Sequence, residues 1–250
     1  MSGHSKWSTI KRKKGALDAK RSKVFTRLIK EITVAVREGG PDPDGNPRLR
    51  LAIQNSKAAN MPKDNVERAI KKGSGADSDS YTEVSYEGYA SYGVAVFVEC
   101  LTDNLNRTIQ NIRSAFNKYG GSLGTKGSLE FIFDRKGVFT IKLSENIALN
   151  EDDFTLEMID AGAEDVEFEE DYVTLYCSME DFGALQKKVE ELKLEVENAE
   201  LQRIPKTTVA LDSEALKKVM KLIDVLEDDD DVQKVYHNIE LNEETMAALS

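Results

Sequence analysis

Apolar residues recur along this chain with two different periods. From Asp18, an N-cap by residue type, Phe25, Leu28, Ile29, Ile32 and Val36 follow the i, i+3, i+4, i+7, i+11 spacing of one helix face. Gly39-Gly40-Pro41 supplies the stop. In the loop PDPDGNP, Asn46 reads as a cap and Pro47 as the first residue of a second helix that runs to about Asn60. A third runs from Pro62 to Lys72 and stops at Gly73. Helices this short are marginal alone, so the pattern predicts a small three-helix domain, closed by the linker GSGADSDS at 73–80.

Beyond the linker the period falls to two. Residues 82–89 and 94–101 predict a strand pair around Ser91-Tyr92-Gly93, followed by a helix from about Asn104 to Tyr119 with Leu105, Ile109, Ile112 and Phe116 on its apolar face. LEFIFD at 129–134 predicts a further strand. Then come strand 138–143, helix 151–161, strands 164–169 and 172–177, helix 180–193 and strand 195–203. That βαββαβ order is the ferredoxin-like plan. Strand-like TTVAL, a helix 213–227 capped by Asp212 or Ser213, and strand 232–239 follow. The pieces on either side of the βαββαβ unit are each half a domain. The expected class is α+β with three domains: a basic arm and helical domain at 1–75, an α+β domain from 76–134 plus 205–250, and a ferredoxin-like domain at 135–204 inserted in it.

Charge divides the same way. The net charge of −11 over 250 residues is +11 in residues 1–75 and −22 in the remainder, a basic head on an acidic body. No apolar run reaches the ~18 residues of a membrane span, and no signal-type stretch opens the chain. Cys100 and Cys177 lie far apart inside apolar strand-like runs, which supports neither a disulfide framework nor a thiolate metal site and points to the reducing cytoplasm. An Arg/Lys-rich, Ser-containing N-terminus also fits a mitochondrial transit peptide.

Little in the sequence points to catalysis, and no cofactor motif is present. The two histidines, His4 and His237, have no triad or metal spacing around them. The glycine-rich GGSLGTKGS at 120–128 resembles a phosphate loop but lacks Gly before Lys126; a flexible helix-to-strand connection is expected instead. The run Glu227-Asp228-Asp229-Asp230-Asp231 lacks calcium-loop spacing and sits at a helix C-terminus, where the dipole disfavours acids. It is expected to be a solvated acidic turn, with a protein-contact surface as the alternative and metal-dependent hydrolysis as the enzyme alternative.

The basic head differs in kind. Lys6, Lys11, Arg12, Lys13, Lys14, Lys20, Arg21 and Lys23 put eight cations in the first 24 residues against Asp18 alone, with Trp7 among them. Such a cluster releases counterions from a polyphosphate, and an indole stacks on unpaired bases. The competing reading is an arm drawn to the protein's own acids. Lys23, Arg27 and Lys30 recur at i, i+4, i+7 away from Phe25 and Ile29 and are expected to extend the patch along the helix. Arg48, Arg50, Lys57, Lys63, Lys71 and Lys72 can add to it only if they face the same way. Asn104, Asn106 and Arg107 mark a helix start that favours anions; Arg107 and Arg113, with Lys126 in the glycine loop, are either phosphate contacts or partners of nearby acids.

GHSKWSTIKRKKGALDAKRSKVFTRLIKEI, NPRLRLAIQNSKAANMPKDNVERAIKKGSG, YEGYA, LTDNLNRT, GGSLGTKGS and LEDDDDVQKVYHNIEL together resemble the YebC/PmpR family of bacterial proteins, to which the mitochondrial translational activator of cytochrome c oxidase also belongs. The resemblance spans essentially the whole chain. It implies three domains, the last inserted in the middle one. With GHSKW directly after Met1-Ser2, it also favours the bacterial cytoplasmic form over one with a transit peptide. For activity it implies either DNA-binding transcriptional regulation or action on ribosomal or transfer RNA as a translation factor, including at proline-rich stalls. Carried over by motif, Lys6, Trp7, Lys11, Arg12, Lys13 and Lys14 are the expected nucleic-acid contacts. No helix-turn-helix recognition helix is evident, which keeps structured RNA in view. A protein partner for the acidic α+β domains, or a purely protein-binding adaptor, completes the set of readings, and no membrane partner is expected.

Overall fold

The computed structural model describes residues 17–75, 81–143, 150–169, 171–240 and 242, with side chains from residue 21 onward. Three helices come first: α1 (Leu17–Gly39), α2 (Pro47–Ala58) and α3 (Lys63–Ser74). Ile32, Ala35 and Val36 of α1 meet Leu49 and Ala52 of α2 and Ala69 of α3 in one small core. Asn46 caps α2 as its type dictates, accepting from the Leu49 N–H at 3.0 Å, while its amide donates to the carbonyl of Ala35 at 2.6 Å. Gly73 does not end α3. The helix continues to Ser74, and Gly73 lies buried where α3 crosses α1. A methyl there would sit 2.8 Å from the carbonyl oxygen of Thr33 and 2.8 Å from Val36 Cβ. Gly73→Ala is therefore expected to push the helices apart and lower stability by roughly 1–3 kcal/mol, read as a fall in melting temperature.

Strands β1 (Thr82–Tyr89) and β2 (Ala95–Thr102) form the expected hairpin, and α4 (Leu105–Lys118) follows under its Asn104 cap. A two-residue strand, β3 (Ser122–Leu123), then pairs with the end of β1. The chain leaves for a second sheet and returns with α7 (Ser213–Asp228) and β8 (Val232–His237), so the first sheet has the order β3-β1-β2-β8, all antiparallel. Strand β2 alternates between two apolar environments. Val96, Val98 and Cys100 face α4 and α7, among Ile112, Phe116, Leu216 and Ile223. Ala95 and Phe97 face the opposite side, against Leu129, Ile132, Phe133 and Tyr236.

That second cluster corrects the expected strand at 129–134. Leu129, Ile132 and Phe133 have i, i+3, i+4 spacing, and the backbone turns through them, with the Ile132 N–H donating to the Leu129 carbonyl at 2.9 Å. Phe131, on the other side of the turn, is 69% exposed. The segment plugs the second face of the sheet. Strand β4 starts at Phe133 and runs unbroken to Lys142, where the residue pattern suggests two strands.

Between β3 and α7 lie β4, α5 (Glu151–Asp160), β5 (Ala163–Phe168), β6 (Tyr172–Cys177), α6 (Phe182–Glu191) and β7 (Val196–Pro205). Their sheet has the antiparallel order β5-β6-β4-β7, and α5 and α6 contribute Phe154, Met158, Leu185 and Val189 to its core. This is the ferredoxin-like plan, inserted in the other α+β domain, as expected. TTVAL contributes only one parallel bridge, Val209 to Ile239.

The three parts dock on one another. Asn55 of α2 exchanges two hydrogen bonds with the backbone of Ala199 in β7, 2.9 and 3.2 Å. The two sheets are joined by Arg203 to Glu99 at 3.1 Å and Lys234 to Glu200 at 2.7 Å, with the Arg203 guanidinium 3.7 Å from the Phe97 ring centroid.

Candidate nucleic-acid interface

The cations expected to form one surface do not all share it. Lys6, Trp7, Lys11, Arg12, Lys13 and Lys14 lie outside the described residues; Lys20 lies in α1, its side chain likewise outside them. Arg21 is exposed, its guanidinium 5.4 Å from the Phe25 ring centroid and 3.4 Å from the Asn60 carbonyl.

Lys23, Arg27 and Lys30, expected to extend the patch, instead turn inward, onto the acidic turn at the end of α7. Lys23 pairs with the Asp228 carboxylate. Arg27 donates to the carbonyls of Glu227 at 2.7 Å and Val232 at 3.1 Å. Lys30, buried, donates to the carbonyls of Asp230 at 2.7 Å and Leu101 at 3.2 Å and reaches the Asp231 carboxylate at 3.3 Å. Burial lowers the Arg27 pKa, an effect only partly offset by Asp228 and Asp230. The physical reason for the correction is that a carboxylate cluster and a phosphate make the same demand on a basic helix face. The cations of α1 also supply what the C-terminus of α7 lacks, donors to its last carbonyls and positive charge at the negative end of its dipole.

Asp231 is the centre of this contact. It is 3% exposed. It accepts from Arg107 at 2.7 and 2.9 Å, from the Thr108 hydroxyl at 2.9 Å, and from Lys30. Burial would raise its pKa, but the hydrogen bonds from Arg107 and Thr108 and the charge of Lys30 outweigh it and hold the carboxyl below its ordinary value. Arg107, left open in sequence between phosphate and acid, pairs with Asp231 and with Asp103. Asn111 of α4 adds a bond to Asp229 at 2.9 Å. The acidic run is thus in part an internal docking surface, with Asp231 buried, while Asp228 and Asp230 stay exposed as expected of a solvated turn; among the described residues no three His, Cys, Asp or Glu side chains are placed to hold a metal ion.

On the second and third helices, Arg48 is committed to Glu31 at 2.8 Å, Glu38 at 2.7 Å and Glu83. Its burial alone would lower its pKa, yet Glu31 and Glu83 raise it above the ordinary value. Lys63 faces Glu67 at 3.4 Å, and Lys72 is 5.9 Å from the Tyr81 ring centroid. Arg50, Lys57 and Lys71 are exposed.

The glycine loop is not the flexible connection expected. The buried Glu87 carboxylate accepts from the N–H groups of Gly127 and Leu129, both at 2.7 Å, and the Gly124 N–H donates to the Glu87 carbonyl at 2.8 Å. An internal carboxylate takes the amides that a phosphate loop would offer. Lys126 and Arg113 are both exposed to solvent, on the loop and on α4 respectively. Burial pushes the thiols up, Cys100 to about 12 and Cys177 to about 11, so neither is a ready nucleophile.

Comparison with known proteins places this architecture. The TACO1/YebC protein N-terminal domain matches residues 5–76, and the TACO1/YebC second and third domain matches residues 81–239. The chain belongs to the TACO1/YebC family. A relative from Amoebophilus asiaticus, named a probable transcriptional regulatory protein, is 58% identical over 98% of this chain and 100% of its own. One of the same name from Rubrobacter xylanophilus is 49% identical over the full length of both. The crystal structure of a conserved hypothetical protein from Aquifex aeolicus superposes with a TM-score of 0.81 at 44% identity, covering 91% of this chain and 93% of that one. In this TACO1/YebC chain, sequence reasoning named Arg113 but missed Glu87, Asn111 and the neighbours of Arg113 on the outer face of α4, Gln110, Ser114, Asn117 and Lys118, which line a shallow open depression with it. For Glu87 the sequence carries no signal, since an acid in a strand reads as solvent-facing.

Proposed function

We propose that this protein is a non-enzymatic, cytoplasmic regulator of gene expression that binds nucleic acid through the basic arm, Lys6, Trp7, Lys11, Arg12, Lys13 and Lys14, together with Lys20 and Arg21 at the start of α1. The relatives' name favours DNA and transcription. The observation that carries nucleic acid over self-association is the state of the acidic turn. Lys23 pairs with Asp228, Lys30 and Arg107 pair with Asp231, and Arg27 takes the Glu227 carbonyl, so cations of α1 and α4 already occupy much of the densest acidic run of the body. Lys23, Arg27, Lys30 and Arg107 drop out of the proposed interface.

The test replaces Lys11, Arg12, Lys13 and Lys14 by Ala. The slope of log affinity against log salt should fall by about 0.7–0.9 for each phosphate that the arm no longer neutralises. An unchanged slope means the arm is not the binding surface.

The second reading is a translation factor on the ribosome, favoured by a sequence in which no helix-turn-helix recognition helix is evident. Crosslinking in cells separates the two. Recovery of ribosomal or transfer RNA without promoter DNA removes the transcriptional version.

A further inference from the structure

The body that carries −22 overall contains a stretch with no acid at all. From Asn104 to Leu129 there is neither Asp nor Glu, and there are four cations, Arg107, Arg113, Lys118 and Lys126. Helix α4 occupies most of it. The contrast with α5 is direct, since α5, EDDFTLEMID, has five acids in ten residues. Arg107 is spent on Asp103 and Asp231. The others on the outer face, Gln110, Arg113, Ser114, Asn117 and Lys118, surround the shallow depression described above. These residue types have a common chemistry. Each can donate an N–H or O–H to a phosphate oxygen, and Arg can do so with two parallel bonds.

The position of this face matters as much as its composition. Helix α4 and helix α1 hold the same acidic turn from two sides: Asn111 on Asp229 and Arg107 on Asp231, against Lys23 on Asp228 and Lys30 on Asp231. The depression extends from Gln110 to Lys118, so its far end lies about 10 Å along the helix from Asn111, a distance that roughly three base pairs cover at 3.4 Å each. The turn between the two helices is acidic, and part of its charge is compensated there, Asp228 by Lys23 and Asp231 by Lys30 and Arg107.

We propose that the outer face of α4, centred on Arg113 and Lys118, is a second phosphate-contact surface for the nucleic acid held by the basic head. It rests on the reading above that the head binds nucleic acid. The face positions the backbone and does not read bases, because its donors are flexible side chains on one exposed helix.

The experiment uses the full chain and three variants: Arg113→Gln with Lys118→Gln, the charge-reversed Arg113→Glu with Lys118→Glu, and the arm variant with Lys11 to Lys14 replaced. Affinities for a duplex DNA and a structured RNA are measured between roughly 50 and 200 mM salt. The neutral double variant should lower the salt slope by about 1.4–1.8, equally for all sequences of a given nucleic acid, and the reversed pair should weaken binding further. The loss should add to that of the arm variant. An unchanged slope in the double variant beside a reduced one in the arm variant overturns the second surface and leaves the head reading intact. Absence of nucleic-acid binding by the unmodified protein overturns both. A photoreactive benzoylphenylalanine in place of Asn117 gives an independent measurement: crosslinked nucleic acid supports the assignment, and crosslinked protein alone overturns it.

Discussion

Replacing Asp231 by Ala is expected to lower the stability of the folded protein by about 3 kcal/mol, because it breaks a buried ion pair from one side only. Lys30 is left buried, with two carbonyl partners and no carboxylate. Thr108 loses an acceptor in the interior, while Arg107, half exposed, can rehydrate. That last point keeps the cost at the lower end of what such breaks produce. The same carboxylate gives stability a pH dependence of known sign. Its pKa is depressed in the folded state. Its contribution is therefore fully present above the ordinary carboxylate value near 4 and is lost as the pH falls through the lower folded value. Urea midpoints measured from pH 7 down to about pH 3 should show this decline in the native protein and a flatter profile in Asp231→Asn. Equal profiles would mean that Asp231 titrates as an exposed acid does.

Glu87→Ala is expected to cost about 3 kcal/mol as well, by a different route. The variant leaves the N–H groups of Gly127 and Leu129 without their carboxylate acceptor, at a point where Leu129 is fully buried under the sheet. Hydrogen bonds to an ionised acceptor contribute roughly 1.5–3 kcal/mol each, and an unpaired buried donor carries its own desolvation penalty. Glu87→Gln should recover little, since an amide offers one acceptor oxygen and turns its NH2 toward the other donor. Hydrogen exchange resolves the effect by residue. The amides of Gly127 and Leu129 should lose protection selectively in both variants. Protection unchanged at these two positions would show that other contacts hold the loop.

Most of the secondary structure is legible in the residues because each element obeys one local rule. Asn46, Asn104 and Asp212 cap helices that start one residue later, accepting from Leu49, Arg107 and Ala215 as their side chains dictate. Strand β6 has the expected bounds, 172–177. The failures lie where two rules compete. LEFIFD has the composition of a strand, yet its buried positions, Leu129, Ile132 and Phe133, have helical spacing, and the chain turns. Gly73 has the residue type of a helix stop and the location of a helix crossing.

The candidate site divides in the same way. The sequence places the cations in the head and the acids in the body, a split of +11 and −22. Which cations are free to meet a phosphate is another matter. Lys23, Arg27 and Lys30 have the spacing of a solvated basic face, and nothing within α1 says otherwise. Most of their partners are some 200 residues away, at Glu227 to Val232, and Lys30 also reaches the Leu101 carbonyl. The sequence by itself determined three folding units, their order, one inserted in another, and the sign of charge on each. Only the tertiary structure decided where opposite charges meet, because a carboxylate brought in by folding and a phosphate brought in by binding attract the same side chains by the same law.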